Sequence, residues 1–123
     1  MSYAQRLTKE VTTDGSGDAT AYVDVDYGLL SQIRYVKNNF DNGSTITITC
    51  EATGETLWGE TGVNASTTRA PRQATHSTAG AAALYAGGGS AVLDKIAIAK
   101  DRIKIVIASG GASKVGTFHF TLV

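Results

Sequence analysis

Only one cysteine, Cys50, and one proline, Pro71, occur in the 123 residues, and the formal charges sum to zero. A single cysteine cannot close an internal disulfide, so a domain of this size needs a packed core or tight oligomerisation for its stability. Eleven basic and eleven acidic side chains balance, which removes the global field that would hold the chain on nucleic acid or on an acidic membrane surface. A partner therefore has to be recognised by shape. No run of eighteen apolar residues is present, and Met1-Ser2-Tyr3 leads straight into polar sequence with Arg6, Lys9 and Glu10. Neither a membrane-spanning helix nor a signal peptide is expected, and synthesis in a cytoplasm is. The length suits one domain, residues 1–123.

What the chain has in abundance is alternation. Residues 5–12 and 19–25 flank Thr13-Asp14-Gly15-Ser16-Gly17-Asp18, whose glycines suit a tight reversal, so the two runs read as a β-hairpin. In its second arm Ala21, Val23 and Val25 share a face opposite Tyr22, Asp24 and Asp26. Residues 29–37 form a mixed strand, with Leu29, Ile33 and Tyr35 alternating against Leu30, Gln32, Arg34 and Val36; a helix start over 29–33 is the rival reading. After the turn signal Asp41-Asn42-Gly43, residues 44–51 place Ile46, Ile48 and Cys50 on one face and Thr45, Thr47 and Thr49 on the other. Thr53-Gly54 turns the chain into a short strand over 55–58.

Near the end, residues 92–100 put Val92, Asp94, Ile96 and Ile98 on one face, and a Lys100-Asp101 corner leads into 102–108 with Ile103, Ile105 and Ile107 inward. A Gly-rich turn at 109–113 then closes a hairpin into 115–123, whose Phe118, Phe120 and Leu122 face the core. Several short strands with Gly-rich turns predict an all-β single domain, a β-sandwich or flattened barrel of jelly-roll-like topology, with one long inserted loop.

That loop, residues 61–90, matches neither a strand nor a sound helix, although an alanine-rich helical turn fits 80–85. Compact domains rarely keep a structureless connection beyond about 12–15 residues unless it has a function or is disordered. Arg69, Arg72 and His76 cluster around Pro71, and a small-residue stretch ends in Leu84-Tyr85. A basic, proline-anchored arm suits contact with acidic patches of a neighbour, so Arg69, Arg72, His76 and Tyr85, with Trp58 beside the start of the loop, are the candidate protein-interaction residues. A loop folded on its own domain is the alternative.

No catalytic, cofactor-binding or metal-binding constellation emerges. Cys50 lies on an apolar strand face, where desolvation keeps a thiol inert. His76 and His119 have no further ligands at metal spacing. Asp14 to Asp18 alternates oxygens as calcium loops do, yet it lacks the later bidentate Glu. Gly87-Gly88-Gly89-Ser90 lacks the lysine of a phosphate loop and reads as a hinge. Asn42-Gly43-Ser44 and Asn64-Ala65-Ser66 are glycosylation sequons by pattern alone. Glu51, Glu55 and Glu60 flank Trp58, but glycoside chemistry needs two carboxyls about 5–9 Å apart across a groove, a distance that spacing in sequence does not supply.

Several segments carry a resemblance: the opening TTDGSGDAT, the middle IRYVK, ITCEATGETLWGETGVNAS, APRQATHSTAGAAALY, and the ending DRIKIVIASGG-SKVGTFH. In these the chain resembles a family of small virion-associated proteins encoded among the structural genes of tailed bacteriophages and prophages. The resemblance implies a small non-enzymatic β-domain, most simply a capsid decoration (cement) protein that binds across major capsid subunits and stabilises the head. It also implies location in the virion, contact with the major capsid protein or other virion proteins, and homo-oligomers, with a trimer favoured. It brings no cofactor, nucleic acid or membrane partner. The alternatives are a head-tail connector or tail component, a tail-borne saccharide-binding module using Trp58, Tyr22 and Tyr27, and a hydrolase built on Glu55 and Glu60.

Overall fold

The computed structural model describes residues 4–123, which form strands and connections with no helix among the described residues. The described residues form the strands β1 (Gln5–Thr12), β2 (Ala19–Lys37), β3 (Ser44–Cys50), β4 (Thr56–Val63), β5 (Thr67–Arg69), β6 (Gln73–Ala74), β7 (Leu93–Asp94), β8 (Ile96–Ala108) and β9 (Val115–Leu122). Seven belong to one antiparallel sheet in the order β1-β9-β2-β8-β3-β4, with β5 also paired to β2; β6 and β7 make a separate two-stranded pair. The expected all-β sandwich or flattened barrel is what the chain forms.

β2 is what lets a single sheet enclose a core. The sequence separates residues 19–25 from 29–37, whereas the chain runs through both as one nineteen-residue strand. Its first part pairs with β8, from Ala19↔Ile107 to Leu30↔Ile96, and its last part pairs with β9, from Leu30↔Leu122 to Lys37↔Gly116. At the changeover Gly28 lies so close to β9 that a Cβ there would fall 2.9 Å from Leu122 Cβ, so the close crossing requires glycine.

Two irregularities turn the apolar faces toward one interior. Ser31 is an extra residue between the Leu30 and Gln32 pairings, and such a bulge shifts the side-chain period by one. The buried residues of β2 are accordingly Val25, Leu30, Ile33 and Tyr35, while Leu29, predicted to share a face with Ile33, is exposed. In β8 the burial switches from Ile96 and Ile98 to Ile103, Ile105 and Ile107. Lys100, at a left-handed φ of 50°, lies between the two sets. The expected Lys100-Asp101 corner is thus a reversal of face inside one strand, not a break between two. The helix start considered at 29–33 does not form.

The interior gathers Ile46, Ile48 and Cys50 of β3, Ile103, Ile105 and Ile107 of β8, and Phe118, Phe120 and Leu122 of β9, as their alternation predicts. Tyr35 stands at its centre. Its ring stacks on Phe118 at 5.1 Å and on Phe40 at 6.1 Å, and meets Trp58 tilted at 6.4 Å. Phe40 comes from the connection after β2 and lies flat over Gly116, where a Cβ would come within 2.5 Å of Phe40 Cε2.

Candidate functional site

The long insertion is not structureless. β4 extends into it as far as Val63, five residues beyond the predicted end at 58, and residues 67–69 form β5 on β2, with Ile33↔Arg69 and Tyr35↔Thr67 as the outer rungs. The first third of the insertion is therefore docked on its own domain.

Trp58 and Glu60 are two apart on β4 and share a face, the spacing by which the sequence could have linked them. The Trp58 indole N–H donates to Glu60 Oε1 at 3.0 Å. Arg69 grips the same carboxylate with both ends of its fork, Nε to Oε1 at 2.9 Å and Nη2 to Oε2 at 3.0 Å, while its guanidinium carbon lies 5.9 Å from the Trp58 ring centroid. Arg69 Nη1 also donates to Thr67 Oγ1 and to the Thr68 carbonyl. The Arg69 hydrogen bonds, with that of Trp58 second, hold the Glu60 carboxyl below the usual range, and the Glu60 carboxylate raises the Arg69 pKa in return. A carboxylate held in this way is poorly suited to donate a proton as a general acid.

Arg72 donates from Nη1 to the Ser31 carbonyl at 3.0 Å. Ser31 is the bulged residue of β2, so this arginine serves a backbone group at the irregularity that sets the core face. Trp58, only 6 % exposed, is a core residue and not the surface aromatic its sequence context suggested. The saccharide trio is accordingly divided between inside and outside: Tyr27 is exposed, and Tyr22 is half-covered by Arg102, whose guanidinium lies 4.1 Å from the ring centroid.

Residues 73–94 form a finger that leaves the barrel at β6 and returns at β7. The helical turn considered at 80–85 is absent; extended chain reverses at 77–80 and again at 86–89 instead. Three residues close a ring of backbone hydrogen bonds: Thr75 N–H donates to the Val92 carbonyl at 2.9 Å, Val92 N–H to Ala83 at 2.9 Å, and Ala83 N–H to Thr75 at 3.0 Å. Gly80 and Gly88, at left-handed φ of 82° and 70°, sit in the two reversals. His76 bridges Ala82, and Leu84 bridges Ala91. The finger is thus ordered by its own backbone bonds.

It contains no buried residue. Tyr85 is 76 % exposed, Leu93 54 % and Leu84 40 %, and Asp94 is its one Asp, Glu, Lys or Arg. Of the five candidate interaction residues, Trp58, Arg69 and Arg72 lie at the foot of the finger, engaged with their own domain, and His76 and Tyr85 lie on the finger. In the sequence Leu84 only ends a small-residue stretch and Leu93 belongs to the strand expected over 92–100, so neither position marks itself as an exposed contact.

Elsewhere, burial raises the Cys50 thiol pKa first, with Asp101 and Glu55 adding to it. Asp14 spends its carboxylate on the backbone N–H groups of Ser16 and Asp18, and these bonds lower its pKa. His119 Nδ1 lies 3.0 Å from Thr8 Oγ1 on the outer face of the sheet. Among the described residues no three His, Cys, Asp or Glu side chains gather as a metal site would require. Comparison with protein-family models, with curated proteins and with solved structures returns no match, so the reading of the finger rests on its own geometry.

Proposed function

We propose that this protein is a non-enzymatic structural component of a tailed-phage virion, a capsid decoration protein that seats its finger on the major capsid protein. One observation carries the reading. Twenty-two consecutive residues, 73–94, project from a well-packed barrel with exposed Leu84, Tyr85 and Leu93 and a single side chain of the Asp, Glu, Lys or Arg type. Depletion of charge with exposed aromatic and aliphatic anchors is the composition of an interface core. A projection that buries nothing of its own gains apolar burial only from a partner.

Its mechanism is linkage. A protein that binds assembled subunits more tightly than free ones stabilises the assembly in proportion to that difference. Because the finger is already closed by its hydrogen-bonded ring, little ordering entropy opposes docking. The barrel acts as a rigid base, and the clamp of Trp58, Glu60, Arg69 and Arg72 fixes the direction in which the finger leaves it. Copies grouped on the particle, three together being our expectation, would multiply the attachment.

The test is loading onto particles that lack the protein. The pair Leu84→Ser with Tyr85→Ser should leave the melting temperature of the free protein unchanged, since both side chains are exposed, yet abolish loading and the extra heat resistance that loading confers. Normal loading by this variant would refute the reading. Cryo-electron microscopy of the loaded particle separates the capsid from the connector and tail.

A further inference from the structure

We propose that two copies of this chain pair through the free edge of β1, antiparallel about a two-fold axis at Thr8. β1 lies at one end of the sheet and runs beside β9 in unbroken register, from Gln5↔Leu122 to Thr12↔Val115. The next rung is seen directly: Thr13 N–H donates to the Lys114 carbonyl at 2.8 Å. In an antiparallel ladder the bonded residues alternate, so the odd-numbered residues of β1 turn their backbone groups to β9. Arg6, Thr8, Glu10 and Thr12 therefore turn theirs outward. No contact among the described residues takes up those outward groups, and all four residues are exposed.

The sheet's other terminal strand is a poorer template. The pairing of β4 with β3 shifts register twice, and Glu60 on β4 is held by Arg69. Bulged, twisted edges resist pairing, whereas a regular eight-residue edge invites it.

The sequence of β1 then selects both partner and register. With Thr8 opposite Thr8 of the second copy, Arg6 faces Glu10 of that copy, and the symmetry repeats the pair. These rungs join outward-turned residues only, so each rung is a bonded one. Arg6 and Glu10 share the exposed face of the strand, so each cross-strand pair joins opposite charges. Sliding the register by two residues sets Thr8 against Glu10 or Arg6 and loses both ion pairs. On the opposite face Leu7, which is packed only partly against the core, lies opposite Lys9 of the second copy, whose methylenes cover it. The contact is isologous and independent of the finger and of the virion reading. A single strand edge is smaller than the roughly 1,200 Å² of a stable interface, so the pairing is weak and concentration-dependent.

Sedimentation equilibrium of the full chain from micromolar to millimolar concentration provides the test. The wild type should dimerise across this range. Arg6→Glu and Glu10→Arg should each raise the dissociation constant about tenfold or more, and the double exchange should bring it back to within about threefold of wild type. Thr8→Pro should abolish the dimer without lowering the melting temperature appreciably, because the N–H it removes points away from β9. A monomer at all concentrations, a dimer indifferent to the single reversals, or a double exchange that fails to rescue would overturn the proposal.

Discussion

Replacing Tyr35 by Phe should stabilise this protein, a direction few core substitutions take. The residue has no exposed surface, and its hydroxyl is buried without a hydrogen-bond partner among the described residues. Burying such a group unsatisfied costs about 1–3 kcal/mol, and the Tyr35→Phe variant removes the group while keeping the ring against Phe118, Phe40 and Trp58. For a domain of this length each kcal/mol moves the melting temperature by roughly 3–6 °C, so the gain is well within reach of calorimetry or urea unfolding. A second signature comes from pH. Burial pushes the phenol from its ordinary value of 10.0 up to about 12. Between these values the unfolded chain has lost a proton that the folded chain keeps, so wild-type stability falls as pH rises, by on the order of 2–3 kcal/mol by pH 12. The Tyr35→Phe variant lacks this contribution, and its advantage should widen from pH 10 to 12. A loss of stability in the variant, or a difference between the two proteins that stays flat with pH, would refute the reasoning and mean that the hydroxyl is satisfied.

Gly116→Ala should cost about 1–3 kcal/mol in urea unfolding, because its Cβ would collide with the enclosed ring of Phe40; an unchanged midpoint would show that the ring has room to retreat. Arg72→Ala frees the Ser31 carbonyl at the β2 bulge, so amide exchange should accelerate in β5 and around residue 31 while the global melting temperature moves little. Uniform exchange across the protein would contradict the assigned role of Arg72. Cys50 is buried, with its thiol pKa raised, and should react with a thiol reagent only at the rate of unfolding; rapid labelling of the native protein would place its side chain on the other face of β3.

The inward residues legible in the chain share a local cause. Ile46 to Cys50, Ile103 to Ile107 and Phe118 to Leu122 alternate without interruption, and the pleat sends alternate side chains to one face whatever the partner strand is. The burial of Trp58 is not local in origin: it depends on Tyr35 and on the Glu60 carboxylate that receives its N–H, whereas the sequence shows only its place beside the start of the loop. Leu29 departs from the face that alternation predicts because one bulged residue, Ser31, inverts the count, and a bulge is a property of the pairing with β9.

By itself the sequence determined the all-β class, most strand positions and the inward residues of the regular strands, since each follows from steric alternation over a few neighbours. It also marked residues 61–90 as the exceptional segment, because nothing there repeats with a period of two. Only the tertiary structure decided how the strands enclose a core, since the face reversals at Ser31 and Lys100 have meaning only against β9 and β2. Tertiary structure also brought Phe40 over Gly116, the fork of Arg69 onto Glu60, and Thr75, Ala83 and Val92 into one hydrogen-bonded ring. These are meetings of groups distant along the chain, set by register and close packing, and local pattern carries no record of them.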